Sequence, residues 1–173
     1  GRRAAQEQHR RRDLARLRKP LEDDDVELAD TIGPLSNEQT VAAAPRNMIF
    51  HGPVSRDRAA DWYRQSDVFV LPTLSDGFAL TQLEALAHGL PVVVTPNCGR
   101  VVEEGRTGFL VPPRDAPALA DALRRFSADR TLAPSMAPAC REAVKAFSLD
   151  AYARRLAMVD AEALNRLKWR SRR

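Results

Sequence analysis

Apolar residues in this chain fall into short unbroken runs. Met48–Phe50, Val68–Leu71, Val92–Val94 and Phe109–Val111 are such runs, with the length and continuity of strands covered on both faces. Between them the apolar spacing becomes helical. Ser55 stands ahead of Ala59, Ala60, Trp62 and Tyr63, as an N-cap stands ahead of a helix. A helix over Ala79–His88 would show Leu80, Leu83 and Ala87 on one face. Gly89 suits its C′ position and Pro91 prevents its continuation. Pro72 closes the strand before it. Val101–Glu104 reads as one helical turn. Further on, Asp115 opens a helix that buries Leu119, Ala122, Leu123 and Phe126. Another helix covers Met136–Phe147, and Ser148 caps a last one with Tyr152, Leu156 and Val159 on one face. Upstream the pattern weakens. Arg2–Arg18 reads as an Arg-rich helix stopped by Pro20, Val26–Ile32 as a strand, and Ser36–Ala44 as a short helix. Strands that alternate with helices over short links form βαβ units, so the chain predicts an α/β fold with a doubly wound parallel sheet.

Composition narrows the class. The 173 residues are 44% hydrophobic and 29% charged, enough for a real core and ordinary for a globular domain. No apolar run approaches the roughly 18 residues of a spanning helix, and the polar, Arg-rich start has no signal-peptide h-region. The formal charge of +4 is unevenly spread. Residues 1–20 carry net +6 and residues 166–173 carry +5, which leaves the body between them at −7. Basic residues at the ends rather than across a folded face argue against nucleic acid. They suit peripheral contact with an anionic membrane, although solvated ends are the plainer reading. Cys98 and Cys140 have no CxxC spacing, which suggests two free thiols in a reducing, cytoplasmic setting. Cys98 is expected simply to pack.

The chemistry concentrates after the Val68–Leu71 run. Ligands of open parallel sheets bind beyond the carboxyl ends of the strands. Asp76–Leu80 lies at such an end, where a strand feeds a helix, so N–H groups of Phe78, Ala79, Leu80 and Thr81 are candidates to hold a diphosphate. Gly77 would allow close approach, or would only make the turn. Glu84 sits among Leu83, Ala85 and Leu86, where a carboxylate must reach solvent or a partner. Its two oxygens suit a vicinal diol. Asp76 is also a natural helix N-cap. Arg56 and Arg58 could draw phosphate or merely face water. No HExxH or GxSxG is present.

The segment DGFALTQLEALAHGLPVVVTPN, followed by Gly105-Arg106-Thr107-Gly108-Phe109-Leu110-Val111-Pro112, resembles the C-terminal, donor-binding domain of retaining family-4 glycosyltransferases of the GT-B architecture. The likeness runs roughly from Met48 to Val159 and is specific in combination. It implies a Rossmann-like C-terminal half of a GT-B fold with C-terminal helices. Residues 26–165 would be the nucleotide-sugar domain, residues 1–25 a basic helix and linker, and residues 166–173 a basic tail. It further implies that Glu84 holds the ribose, that Asp76, Gly77 and Phe78 face the donor sugar, and that Ala79, Leu80 and Thr81 face the phosphates. Gly52, Pro53 and Val54, after His51, would lie beside the base, with Asn97 and Gly99 near the donor. Such enzymes hold the leaving diphosphate with helix ends and cationic side chains and need no metal or resident cofactor. The substrate would be a nucleoside-diphosphate sugar, UDP- or GDP-linked, transferred with retention to an acceptor glycan, lipid or small molecule bound by an N-terminal domain.

Two departures qualify the likeness. The family's first acidic residue is usually Glu, and Asp76 is one methylene shorter. The family's opening strand, Gly-rich loop and basic pair find no counterpart before Val26. The expectation is therefore a glycosyltransferase donor domain that is inactive on its own. The alternative is a non-catalytic nucleotide-binding or protein-interaction module of the same fold.

Overall fold

The computed structural model describes residues 29–32, 44 and 47–170, with side-chain surroundings through residue 159. The expected helices over Arg2–Arg18 and, apart from Ala44, over Ser36–Ala44, with the 1–25 segment and the last residues of the basic tail, lie outside the described residues. The chain forms two compact units, Gly1–Pro53 and Val54–Arg173.

In the first unit, β1 (Ala29–Ile32) and β2 (Met48–Gly52) pair in parallel from Ala29↔Met48 to Ile32↔Gly52, with a register irregularity after Thr31. The β2 strand thus reaches two residues past the apolar run that announced it. His51 Nε2 lies 2.7 Å from Asp30 Oδ1 and ties the two strands by their side chains. Gly52 leaves β2 at φ +68°, a conformation glycine adopts without strain.

The second unit is built on β3 (Phe69–Leu71), β4 (Val92–Val94) and β5 (Gly108–Leu110), in the order β3-β4-β5 with both pairings parallel. All three valines of β4 are 0% exposed. A strand with no exposed residue must be covered on both faces, which is why it is continuously apolar instead of alternating. Tyr63 of α1 (Arg56–Gln65) packs at 6.0 Å on Phe69, and Phe126 of α3 (Ala116–Ala128) packs at 5.4 Å on Phe109. The outer edge of β5 is occupied from within the chain. Glu104 Oε2 accepts the Leu110 N–H at 2.8 Å, and the Gly105 N–H donates to the Gly108 carbonyl at 2.9 Å.

Helix α2 (Leu80–Ala87) corrects the expected apolar face. Leu80 is 64% exposed, whereas Gln82, Ala85 and Leu86 are fully buried. The buried stripe contains a polar residue, so hydrophobicity alone selected the neighbouring one. The helix ends as expected. Gly89 at φ +83° donates to the Leu86 carbonyl, and Leu90 donates to the Ala85 carbonyl, the paired bonds of a Schellman motif.

The caps vary. Asp115 caps α3 through the Ala118 N–H at 2.9 Å, and the Ser148 hydroxyl accepts from Ala151 at the start of α5 (Leu149–Arg170). Ser55 occupies the N-cap position of α1, but its side chain makes no capping bond. Helix α4 (Leu132–Ala143) begins four residues before its expected start at Met136 and passes into a 3₁₀ turn over Val144–Phe147. Pro134 falls in its first turn, where no N–H is needed, and Pro138 lies inside it. Pro138 already fell inside the expected helix, whereas Pro134 precedes its expected start. The expected helical turn at Val101–Glu104 is not helical; the short turn forms earlier, as a 3₁₀ turn over Pro96–Cys98.

Both thiols are free and buried, as expected of packing residues. Burial pushes the Cys140 thiol up to about 11 and raises that of Cys98. Among the described residues no helix is long and apolar enough to cross a membrane.

Gly89 and Gly77 should respond oppositely to alanine. A Cβ on Gly89 adds the left-handed penalty of about 1–2 kcal/mol and meets Arg141 and Ala137, whereas Gly77 has open space and no positive φ. Thermal melts should show Gly89→Ala lowered by roughly 3–8 °C and Gly77→Ala nearly unchanged.

Candidate functional site

Because β3 and β4 run parallel, the loops that follow them leave the same end of the ladder. The first loop spans Pro72–Ala79 and the second spans Thr95–Gly99. They are bonded to each other throughout. The Thr95 hydroxyl donates to the Thr73 carbonyl at 2.6 Å, and Asn97 Nδ2 donates to the Leu74 carbonyl at 2.8 Å. The Asp76 N–H donates to the Asn97 carbonyl and the Ala79 N–H to the Cys98 carbonyl. Gln82, buried on α2, reaches back with Nε2 to the same Cys98 carbonyl. Gly99, at φ +99°, lies against the Phe78 ring, where a Cβ would collide. A loop cross-linked in this way presents fixed donors to a ligand, and no ordering entropy is spent on binding.

This geometry revises the expected phosphate donors. The Phe78 N–H donates to Asp76 Oδ1 at 3.1 Å, and the Ala79 N–H is held by Cys98. Leu80 and Thr81, the first residues of α2, keep N–H groups that meet no acceptor among the described residues. Two of the four anticipated donors are thus open, at the positive end of the helix dipole. Asp76 also departs from the sequence reading. The N-cap position of α2 belongs to Ala79, and Asp76 instead folds its own turn by accepting from two residues ahead. Gly77 has no left-handed φ. What its missing side chain supplies is room, since nothing stands within 4 Å of a Cβ built there.

Glu84 stands one turn along the helix from these donors. Its side chain is 36% exposed, and both oxygens are met from α1. The Tyr63 hydroxyl donates to Oε2 at 3.0 Å, and Arg56 Nη2 lies 3.7 Å from Oε1. Arg56 and Tyr63 are seven residues apart, two helical turns, and so share a face. Arg58 is exposed. The Tyr63 hydroxyl is shifted strongly upward, first by burial and then by its bond to Glu84, and therefore remains a donor. Leu74, Phe78 and Leu80 are exposed apolar side chains around this end of the ladder. Gly52 and Pro53 close the first unit and Val54 opens the second.

Residues 12–129 match the family described as glycosyl transferases group 1, two thirds of the chain and all of β3-α2-β4. The chain belongs to this family. Among curated relatives it is 38% identical over 125 residues to the D-inositol 3-phosphate glycosyltransferase of Streptomyces griseus, covering 71% of this chain and 26% of that protein. It is 39% identical over 104 residues to the lipopolysaccharide core biosynthesis mannosyltransferase LpsB of Rhizobium meliloti, covering 57% and 30%. The chain thus spans about a quarter of the length of the curated relatives it matches. Among solved structures it resembles sucrose-phosphate synthase from Thermosynechococcus elongatus, with a TM-score of 0.60 and 33% identity over 69% of this chain and 31% of that one. It also resembles the C-terminal domain of the glycosyl transferase group 1 protein LpcC from Francisella tularensis, with a TM-score of 0.56 and 28% identity over 62% and 58%. These likenesses agree with the parallel α/β architecture read from the sequence and place the chain among GT-B folds.

Two site residues of this family member, Gln82 and Thr95, carried no sequence signal, and Asn97 was marked only by the resemblance. All three are polar residues whose work is to hold backbone carbonyls 16 to 23 residues away. Gln82→Ala would leave a cavity and strip the Cys98 carbonyl of one donor, which should cost about 2–4 kcal/mol in denaturant melts. Amide exchange of Ala79 should accelerate in the same variant. Unchanged exchange there would mean that the loops hold together without Gln82.

Proposed function

We propose that this chain is the donor half of a glycosyltransferase. It binds a nucleoside-diphosphate sugar, UDP- or GDP-linked, and transfer proceeds with retention to an acceptor held by a domain outside this chain. The observation that carries the reading is the placement of two open N–H groups, on Leu80 and Thr81, one turn before the Glu84 carboxylate. A helix N-terminus favours the diphosphate, and a carboxylate at that spacing suits the ribose diol beyond it. The donor sugar would lie over Asp76, Gly77 and Phe78. Helix N–H groups and Arg56 neutralise the leaving diphosphate, so the reaction is metal-independent. Chemistry waits for the second half of the cleft, because half a cleft orients only one reactant. The enzyme works in the cytoplasm, where nucleotide sugars are at hand and basic chain ends favour an anionic membrane face.

A second reading has one observation in its favour. Asp76 has an oxygen engaged by the Phe78 N–H. A shorter and partly occupied carboxylate grips a sugar less well, which would leave a module that binds nucleotide without using the sugar.

Calorimetric titration against UDP, GDP, ADP and their sugars separates the two. Glu84→Ala should weaken free nucleotide and nucleotide sugar alike by about 1.5–3 kcal/mol, the value of a bond to a charged group. Asp76→Asn should spare the nucleotide and weaken its sugar conjugate by roughly 1–2 kcal/mol. Affinities for nucleotide and nucleotide sugar that are both unchanged in Asp76→Asn would favour the nucleotide-only module.

Metal independence has its own check. Nucleotide affinity measured with and without a chelator should agree. A drop of about tenfold on chelation, roughly 1.4 kcal/mol, would refute it.

A further inference from the structure

We infer that Tyr63 is a positioning residue for the nucleotide's ribose: its buried hydroxyl fixes the Glu84 carboxylate in the orientation that receives the diol. The inference rests on the ribose assignment of Glu84 and goes one step beyond it, to the residue that makes the assignment work.

The geometry is specific. Tyr63 is 6% exposed although its helix is largely polar. Its ring is clamped, stacked on His88 at 5.2 Å and tilted against Phe69 at 6.0 Å. His88 is itself anchored, with Nδ1 2.8 Å from the Glu84 carbonyl. A ring held on both sides has one place to put its hydroxyl, and that place is 3.0 Å from Glu84 Oε2. The other contact to the carboxylate is of a different kind. Arg56 is 91% exposed and 3.7 Å away, so it adds little fixed orientation. Of the two partners, only the phenol can set the rotamer.

Orientation matters here because a glutamate side chain has three rotatable bonds, and freezing them on binding costs free energy. A carboxylate already anchored by one oxygen meets the ligand with that cost removed. The phenol takes one lone pair of Oε2, and Oε1, approached only by the exposed Arg56 at 3.7 Å, keeps acceptor capacity for ribose hydroxyls. Tyr63 need never touch the ligand.

The test compares each nucleoside diphosphate with its 2′-deoxy analogue in calorimetric titrations of wild type, Tyr63→Phe and Glu84→Ala. The ribo-over-deoxy affinity ratio is internal to each protein, so a general loss of folding or packing cancels from it. Phenylalanine keeps the ring contacts with His88 and Phe69, and melting confirms that the variant is folded. The ratio should fall in Tyr63→Phe by about fivefold, the scale of one hydrogen bond, and vanish in Glu84→Ala. If Glu84→Ala erases the ratio and Tyr63→Phe retains it, the positioning role is overturned and the ribose site stands. A loss in Tyr63→Phe that is equal for both ligands means that the tyrosine only packs, and also overturns it. If Glu84→Ala leaves the ratio intact, or the wild-type chain binds no nucleoside diphosphate, the ribose assignment falls first and the inference with it.

Discussion

Parallel pairing of β3 with β4 is the constraint on which the second unit depends. Two parallel neighbours cannot be joined by a tight turn, so a helix must cross between them, and α2 is that helix. The same pairing sends both following loops to one end. Once there, backbone groups of Asp76, Ala79, Asn97 and Cys98 satisfy one another, and the buried amide of Gln82 completes the set. The anion-binding end of α2 is therefore a by-product of strand direction. Its donors are open because the helix has just begun, and they are steady because the next loop holds the chain behind them.

That β4 is wholly buried explains both the strength and the reach of this arrangement. Val92, Val93 and Val94 contribute no side chain to solvent, and the layers on either face are fixed through them. On one side of the sheet Tyr63 meets Phe69, and through its hydroxyl it meets Glu84. A single aromatic residue thus belongs to the core by its ring and to the site by its oxygen. This coupling ties stability to function more closely than a surface carboxylate would suggest.

Much of this was legible beforehand. The short apolar runs located β2 to β5, because buried parallel strands are apolar end to end. Gly89 and Pro91 located the end of α2, because the Schellman cap and the missing proline N–H leave few alternatives. What the sequence concealed has a common cause. The buried face of α2 includes Gln82, and polar residues that are satisfied by distant backbone leave no hydrophobic period. The first turn of α4, with Pro134 in it, lies ahead of the start expected at Met136, and a proline there costs no donor. Asp76 looks like an N-cap from spacing alone, and only the turn geometry shows its oxygen facing Phe78. The link between Tyr63 and Glu84 spans 21 residues and depends on how two helices lie. No local pattern encodes it.

The finished edge at β5 bears on what this unit can become. A parallel or antiparallel neighbour would need the Leu110 N–H as donor and the Gly108 carbonyl as acceptor, and both are already taken by Glu104 and Gly105. An approaching strand would meet a carboxylate where it needs a free amide, and a tight turn where it needs open backbone. The sheet therefore terminates here by its own covalent neighbours, and copies of the protein are discouraged from zipping together along this side. In a crowded cell, that is protection against fibrous self-association.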